Sequence, residues 1–160
     1  MKSFHKTWFI GIPAFIIDRA AKLWAGKALQ GNGTLIALPR LLELRYTENR
    51  GIALGFLSGE IAATLLLPLI AAAVWFLVFR RYRPTPFTAA ASSLILGGFA
   101  GNFLDRLLYG YVVDMLFFPF LPWFICNVAD VAISLGVGMV GFSLLFRARD
   151  WSEKRAKVNG

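Results

Sequence analysis

Three stretches of this chain run for roughly a bilayer's depth with almost no charge. Ile61–Phe79 lies between Glu60 and Arg80, Pro84–Leu104 ends at Asp105, and from Met115 to Phe146 the one charged residue is Asp130. A helix needs ~20 mostly apolar residues to cross the hydrocarbon core, so these runs predict helices over about 61–79, 85–104 and 126–146. Trp8–Ile17 is shorter and becomes a span, about 8–25, only by running on through Asp18, Arg19 and Lys22. Lys2 and Lys6 ahead of it also suit a secretory signal, but no small-x-small cleavage site follows before Asp18, and the stretch reads as an uncleaved helix. In the last run Gly136, Gly138 and Gly141 predict close helix contact. Between the first two spans, Leu35–Leu38 and Leu42–Thr47 read as strand, the second alternating Leu42, Leu44, Tyr46, with Pro39 breaking the run. The pattern predicts a single domain over 1–160: an all-α membrane protein with four transmembrane helices and a small β-containing segment between helices 1 and 2.

Composition sharpens this. Apolar residues make up 58% of the 160 and charged residues 16%, with a mean hydropathy of +0.62; an ordinary soluble domain carries roughly 25% charge. Too few polar residues remain to cover a soluble surface, which excludes a soluble enzyme or a disordered chain. The single Cys excludes a disulfide framework. The net charge of +8 suggests an anionic membrane face as partner rather than nucleic acid, and its placement decides the point. With four spans, ten cations share one side, among them Arg80, Arg81, Arg83, Arg147 and Arg149, against Asp150 and Glu153; seven cations and seven acids remain for the other side. The one-sided excess places both termini in the cytoplasm. The basic tail after Phe146 is expected to be a solvated end near anionic lipid. The opposite side receives 26–59 and the aromatic loop Leu107–Phe124, a composition suited to a membrane boundary.

Ionisable residues within spans are costly and face a bundle interior or cavity. Here they converge at one depth: Asp18 and Lys22 late in the first span, Asn102, Asp105 and Arg106 at the outer end of the third, Asp114 just beyond, and Asn127 and Asp130 opening the fourth. Asn127 fits an N-cap, which sets Asp130 near the positive end of a helix dipole and favours its ionised form. Asp114 sits among Val112, Val113, Met115 and Leu116, a setting that favours a protonated carboxyl. Two carboxyls in such different settings can share a proton, one acting as base on water and the other as acid. The plainer alternatives stand beside this: each acid caps a helix or pairs with Arg106, Asp18 and Lys22 form an i, i+4 ion pair, Asn102 makes an interhelical hydrogen bond, and Gly97 with Gly101 is a packing motif. Cys126 reads as a small buried residue, since the lone His5 lies at the other membrane face. There is no HExxH, His/Cys cluster or phosphate-binding glycine loop, so no metal and no nucleotide cofactor is expected.

Five ordered blocks, DRAAK (Asp18–Lys22), NRGIALG (Asn49–Gly55), GGFAGNFLDR (Gly97–Arg106), GYVVDM (Gly110–Met115) and NVADVAI (Asn127–Ile133), resemble the lipoprotein signal peptidases, the type II signal peptidases of bacteria. The resemblance implies a four-helix aspartic endopeptidase of the cytoplasmic membrane with its site near the outer face. It would act on prolipoproteins and cut before a lipobox Cys that carries a diacylglyceryl group; globomycin is the inhibitor the family implies. Asp114 and Asp130 match the catalytic aspartates, while Asp18, Lys22, Asn49, Gly51, Asn102, Asp105, Arg106, Asn127 and Ala129 match positions that shape the site and bind substrate. Leu54, Met115 and Cys126 depart from the family's usual aromatic residues and put the shape of the pocket in question. Two readings from other classes compete: a small proton-coupled transporter or channel that uses the two aspartates as a relay, and a non-enzymatic membrane assembly protein.

Overall fold

The computed structural model describes residues 9–31, 33–51 and 61–152. Among them are four helices and four strands, in the order α1 (Gly11–Ala28), β1 (Thr34–Leu38), β2 (Leu42–Asn49), α2 (Ile61–Phe79), α3 (Pro86–Tyr109), β3 (Val112–Phe117), β4 (Ile125–Cys126) and α4 (Val128–Phe146), followed by a 3-10 turn at Ala148–Trp151.

The ends of α3 follow from local chemistry. Pro86 occupies the first turn, where its missing N–H costs nothing, and Thr85 and Thr88 cap each other's backbone reciprocally. The helix runs beyond the predicted end at Leu104 and puts Asp105 and Arg106 on its last turns. It stops at Gly110, whose φ of 76° suits a left-handed cap and whose N–H donates to the Arg106 carbonyl at 3.0 Å. Similarly, α1 continues three residues past Ala25.

Packing centres on α3, which lies against α1, α2 and α4. Small residues set the approach. Gly97 meets the Gly11 backbone, and a Cβ on Gly98 would lie 2.5 Å from the Ala129 carbonyl oxygen and 2.7 Å from Ile133 Cγ1. Gly136 of α4 likewise faces Ala91 and Ile95. Gly138 and Gly141, expected to do the same, have nothing within 4 Å of where their Cβ would sit. They fall on the outward side of α4, away from the α3 contact. Outward faces are apolar throughout: Ile16, Ile17 and Leu23 on α1, Leu66, Ile70 and Phe76 on α2, Leu135, Val137 and Leu145 on α4 are all exposed. Such inverted patterning suits lipid contact. By length and composition, α3 and α4 are each able to cross a membrane.

The sheet is larger than the sequence pattern predicted. All four strands pair antiparallel in the order β1-β2-β3-β4, so half of the sheet comes from the segment between α3 and α4. Asp114 therefore stands on a strand, opposite Thr47 of β2. Val113 and Met115 on one face of β3 pack against Ala25 and Leu29 at the end of α1, which leaves Val112 and Asp114 for the other face. Met115 is thus part of the sheet–helix core, and Leu54 lies outside the described residues.

The expected solvated tail begins instead as a tie. The 3-10 turn folds back so that buried Asp150 accepts from Ser143 Oγ at 2.9 Å and Arg147 Nε at 2.7 Å, while Arg83 N–H donates to the Ser152 carbonyl at 2.9 Å. The bond to Arg147 in particular holds the Asp150 carboxyl below its usual range.

Two glycine substitutions test the packing. Gly98→Ala should destabilise the protein by about 1–3 kcal/mol, because the new methyl meets backbone that cannot yield. Gly138→Ala should be neutral or stabilising by up to about 1 kcal/mol, through the lower backbone entropy of alanine. Thermal unfolding in detergent separates them, and equal effects would contradict the α3–α4 contact described.

Candidate active site

Three asparagines aim at two carboxyls, and each one's orientation is forced. An amide oxygen only accepts and an amide nitrogen only donates, so a donor fixed on one end dictates the other. The Asn127 oxygen accepts from Asp130 N–H at 2.9 Å, which turns its NH2 to Asp114 Oδ1 at 2.6 Å. The Asn49 oxygen accepts from Gly51 N–H at 3.0 Å, which turns its NH2 to Asp114 Oδ2 at 2.9 Å. The Asn102 oxygen accepts from Lys22 Nζ at 2.8 Å, which turns its NH2 to Asp130 Oδ1 at 2.8 Å. Asp130 Oδ2 in turn accepts from the Asn127 backbone N–H at 3.2 Å, completing the capping box that opens α4. Asn127 is fully buried and touches both carboxyls, so it serves as a cap and as a bridge.

Behind these groups lies a compact ion network. Lys22 Nζ meets Asp18 Oδ2 at 2.8 Å and Asp105 Oδ2 at 3.0 Å, all three side chains being essentially inaccessible. Asp18 extends to α4, where its Oδ1 accepts from Ala129 N–H at 2.8 Å. Gly101 makes room for this: a Cβ there would lie 2.5 Å from Asp18 Oδ2. Ala129, wholly buried, keeps the same junction small. Asp105 pairs with Arg19 as well and accepts from Val113 N–H at 3.2 Å, tying α3 to β3. Arg106 pairs with neither dyad carboxyl; its guanidinium donates to the Gly51 carbonyl at 2.9 Å and more weakly to the Asn102 carbonyl at 3.4 Å.

Asp114, Asp130, Asn49, Asn102 and Arg106 line one cavity of about 560 Å³, with Phe99, Phe103 and Trp123 supplying apolar walls. An apolar groove of about 630 Å³ adjoins it on α4, running from Asp130 past Cys126 and Gly138 to Phe142. Burial, and then the negative charge of Asp130, push Asp114 up to about 6 against the opposing hydrogen bonds from Asn49 and Asn127. Burial and both carboxylates push the Cys126 thiol up to about 12, so it stays protonated and is no nucleophile at neutral pH.

Every residue expected at the site therefore gathers at it. Asp18, Lys22, Asp105, Asn127 and Ala129 stand behind the cavity as supports, Gly51 anchors the end of β2 through its backbone, and Asn49, Asn102, Arg106, Asp114 and Asp130 line it. Arg19, not among the residues expected at the site, belongs to the support through Asp105. Its spacing three residues before Lys22, on the same side of α1, is the signal that would have found it.

Helices with apolar outer faces, and a cavity between them that two carboxyls line, describe a membrane protein with a polar internal site. The chain belongs to the signal peptidase II family: the model for signal peptidase (SPase) II matches residues 10–146. It is 35% identical to the lipoprotein signal peptidase of Chlorobaculum tepidum, over 93% of this chain and 98% of that one. It is 33% identical to the lipoprotein signal peptidase of Fusobacterium nucleatum, over 93% and 90%. A solved structure described as a bacterial membrane enzyme superposes with a TM-score of 0.78 at 27% identity, over 96% of this chain and 95% of that one.

Because Asp114 is raised from about 3.9 in an unfolded chain to about 6 here, folded protein holds this proton longer than unfolded protein. The stability it contributes is full below about pH 4 and is lost as pH rises through about 6. The difference in unfolding temperature between wild type and Asp114→Asn should shift across that window and level off above it. A difference independent of pH would contradict the raised value.

Proposed function

We propose that Asp114 and Asp130 are the catalytic pair of an aspartic endopeptidase that removes the signal peptide from prolipoproteins, cutting before a Cys that bears a diacylglyceryl group. Membership of the signal peptidase II family supports the activity. The observation that carries the assignment of residues is buried Asn127, which donates to one carboxyl through its side chain and to the other through its backbone, behind a cavity that both acids line.

In this reading Asp114 holds the shared proton at rest and Asp130 is the base. Asp130 takes a proton from water as its oxygen attacks the scissile carbonyl carbon, and Asp114 protonates the carbonyl oxygen. Collapse of the tetrahedral intermediate breaks the C–N bond: Asp130 gives its proton to the leaving amine of the Cys, a hydroxyl of the intermediate returns its proton to Asp114 as the new carbonyl forms, and the pair is back in its starting state. The asparagines hold both carboxyls at fixed separation and angle without adding a positive charge, the positioning on which such a step depends. The apolar groove along α4 would take the hydrophobic part of the signal peptide, since it begins at Asp130 and lies open to the surroundings.

All four helices cross the membrane in this reading, with cytoplasmic termini and the site at the outer face. Support comes from the one-sided charge and from the clustering of Asn102, Asp105, Asn127 and Asp130 toward the adjoining ends of α3 and α4, where Asp18 and Lys22 of α1 meet them. A proton-coupled transporter would place such groups near the midplane. The apolar outer faces make membrane lipid the surrounding partner.

Asp114→Asn and Asp130→Asn should each abolish cleavage of a diacylglyceryl-modified prolipoprotein by the purified protein while leaving it folded. Appreciable product from either variant would refute the pairing. The topology has its own test, aided by the unreactive Cys126. An impermeant thiol reagent applied to intact cells should label Gln30→Cys and spare Arg81→Cys, and the reverse pattern would overturn the orientation.

A further inference from the structure

Strand β3 has two faces, and the catalytic cavity uses one. Val113, pointing the other way, lines a second cavity of about 300 Å³ between the ends of α1 and α3 and the sheet, which shares no lining residue with the first. Its walls include Arg19, Lys27, Tyr46, Tyr109 and Tyr111, with Asp105 at the back.

The charges here leave one to spare. Asp18 and Asp105 are balanced by Arg19 and Lys22 in the ion network. Lys27 is exposed and has no carboxylate within ion-pair distance among the described residues. Arg19 is only 15% exposed at its side chain. Its guanidinium carries five N–H donors, and Asp105 is the acceptor found for it among the described residues. A mostly buried guanidinium with donors left over, beside an unpaired ammonium, fits one oxyanion of charge −1. The Tyr46–Tyr111 hydroxyl pair, 3.3 Å apart, gives the wall a polar edge. Leu23 and Tyr109 on the cavity wall, with Trp24 beside the first and Leu107 and Leu108 beside the second in sequence, present exposed apolar surface at the same helix ends.

We propose that this cavity binds the phosphodiester headgroup of a phospholipid, with Arg19 and Lys27 on the phosphate and the acyl chains along the apolar helix faces. A phosphodiester carries the single negative charge the site lacks, and basic pockets between membrane helices hold lipid headgroups in this way. Free phosphate offers the same oxygens without the chains. The catalytic substrate has no part in it: diacylglycerol lacks the phosphate, and the scissile bond belongs to the other face of β3. Which leaflet supplies the lipid follows from the topology proposed above, whereas binding itself does not depend on that topology or on catalysis.

Native mass spectrometry of the purified full chain in detergent is the test. Phosphatidylglycerol, diacylglycerol with the same chains, and inorganic phosphate are each titrated, and phosphate is also offered in competition with the lipid. The expected result is one tightly held phosphatidylglycerol per chain, no comparable retention of diacylglycerol, and no displacement by equimolar phosphate. Lys27→Gln, at an exposed position that leaves the fold intact, should weaken retention about tenfold or more, as the loss of a charge-assisted hydrogen bond predicts, and Lys27→Arg should restore it. Equal retention of diacylglycerol, displacement of the lipid by phosphate, or a Lys27→Gln variant that binds as wild type would each overturn the proposal.

Discussion

Lys22 has three N–H donors and three acceptors: Asp18, Asp105 and the Asn102 amide, at 2.8, 3.0 and 2.8 Å. An ammonium in an apolar bundle costs several kcal/mol unless its geometry is this complete. Completing it joins the structure together, because the acceptors come from α1 itself and from α3, and Asp18 also holds the first turn of α4 through Ala129 N–H. Removing one member of such a buried group costs about 3–5 kcal/mol, since the rest is left uncompensated. The three helices that carry the site are therefore fixed to one another at the level of the site.

The network also explains how two carboxyls can be held closely without being neutralised. A cation hydrogen-bonded to Asp114 would favour its ionised form and compete with the burial that raises it. The groups that touch the pair are instead amides and a backbone N–H. Lys22 acts at one remove, by dictating which end of Asn102 faces Asp130, and Arg106 spends its donors on the Gly51 and Asn102 carbonyls. Positive charge is present one layer back, for orientation, and makes no hydrogen bond to the oxygens of either carboxyl.

The helices were legible because lipid imposes a coarse rule that a sequence displays openly: Ile61–Phe79 is a helix over the range its lack of charge suggested. So was the polar cluster, since polar side chains stand out in such a chain and those singled out do come together. What the pattern hid was β3. The apolar run from Met115 onward merges strand, loop and helix, and nothing in its hydropathy separates Phe117 from Val128. The strand signal was the β-branched pair Val112–Val113 beside Tyr111, masked by the aromatic loop around it. Glycine counting failed in a different way. Gly136 and Gly138 look alike in sequence, but two residues turn a helix by about 200°, and one faces α3 while the other faces outward. The turn after Phe146 escaped because Asp150 looked like an ordinary charge in a basic tail, and its burial depends on Ser143, seven residues earlier.

The depth of the site has a backbone reason as well as a substrate reason. Midway along a membrane helix every N–H is already bonded to a carbonyl four residues back, so a carboxyl there finds no backbone donors. The first turn of a helix leaves them free. At the start of α4, Ala129 N–H goes to Asp18, Asp130 N–H to the Asn127 oxygen, and Asn127 N–H to Asp130 itself. A strand meeting that helix start contributes Asp114 from the side. These conditions coincide where helix ends and sheet come together, and in the proposed reading a peptide bond that must meet water while its lipid anchor stays in the bilayer is presented at that same boundary.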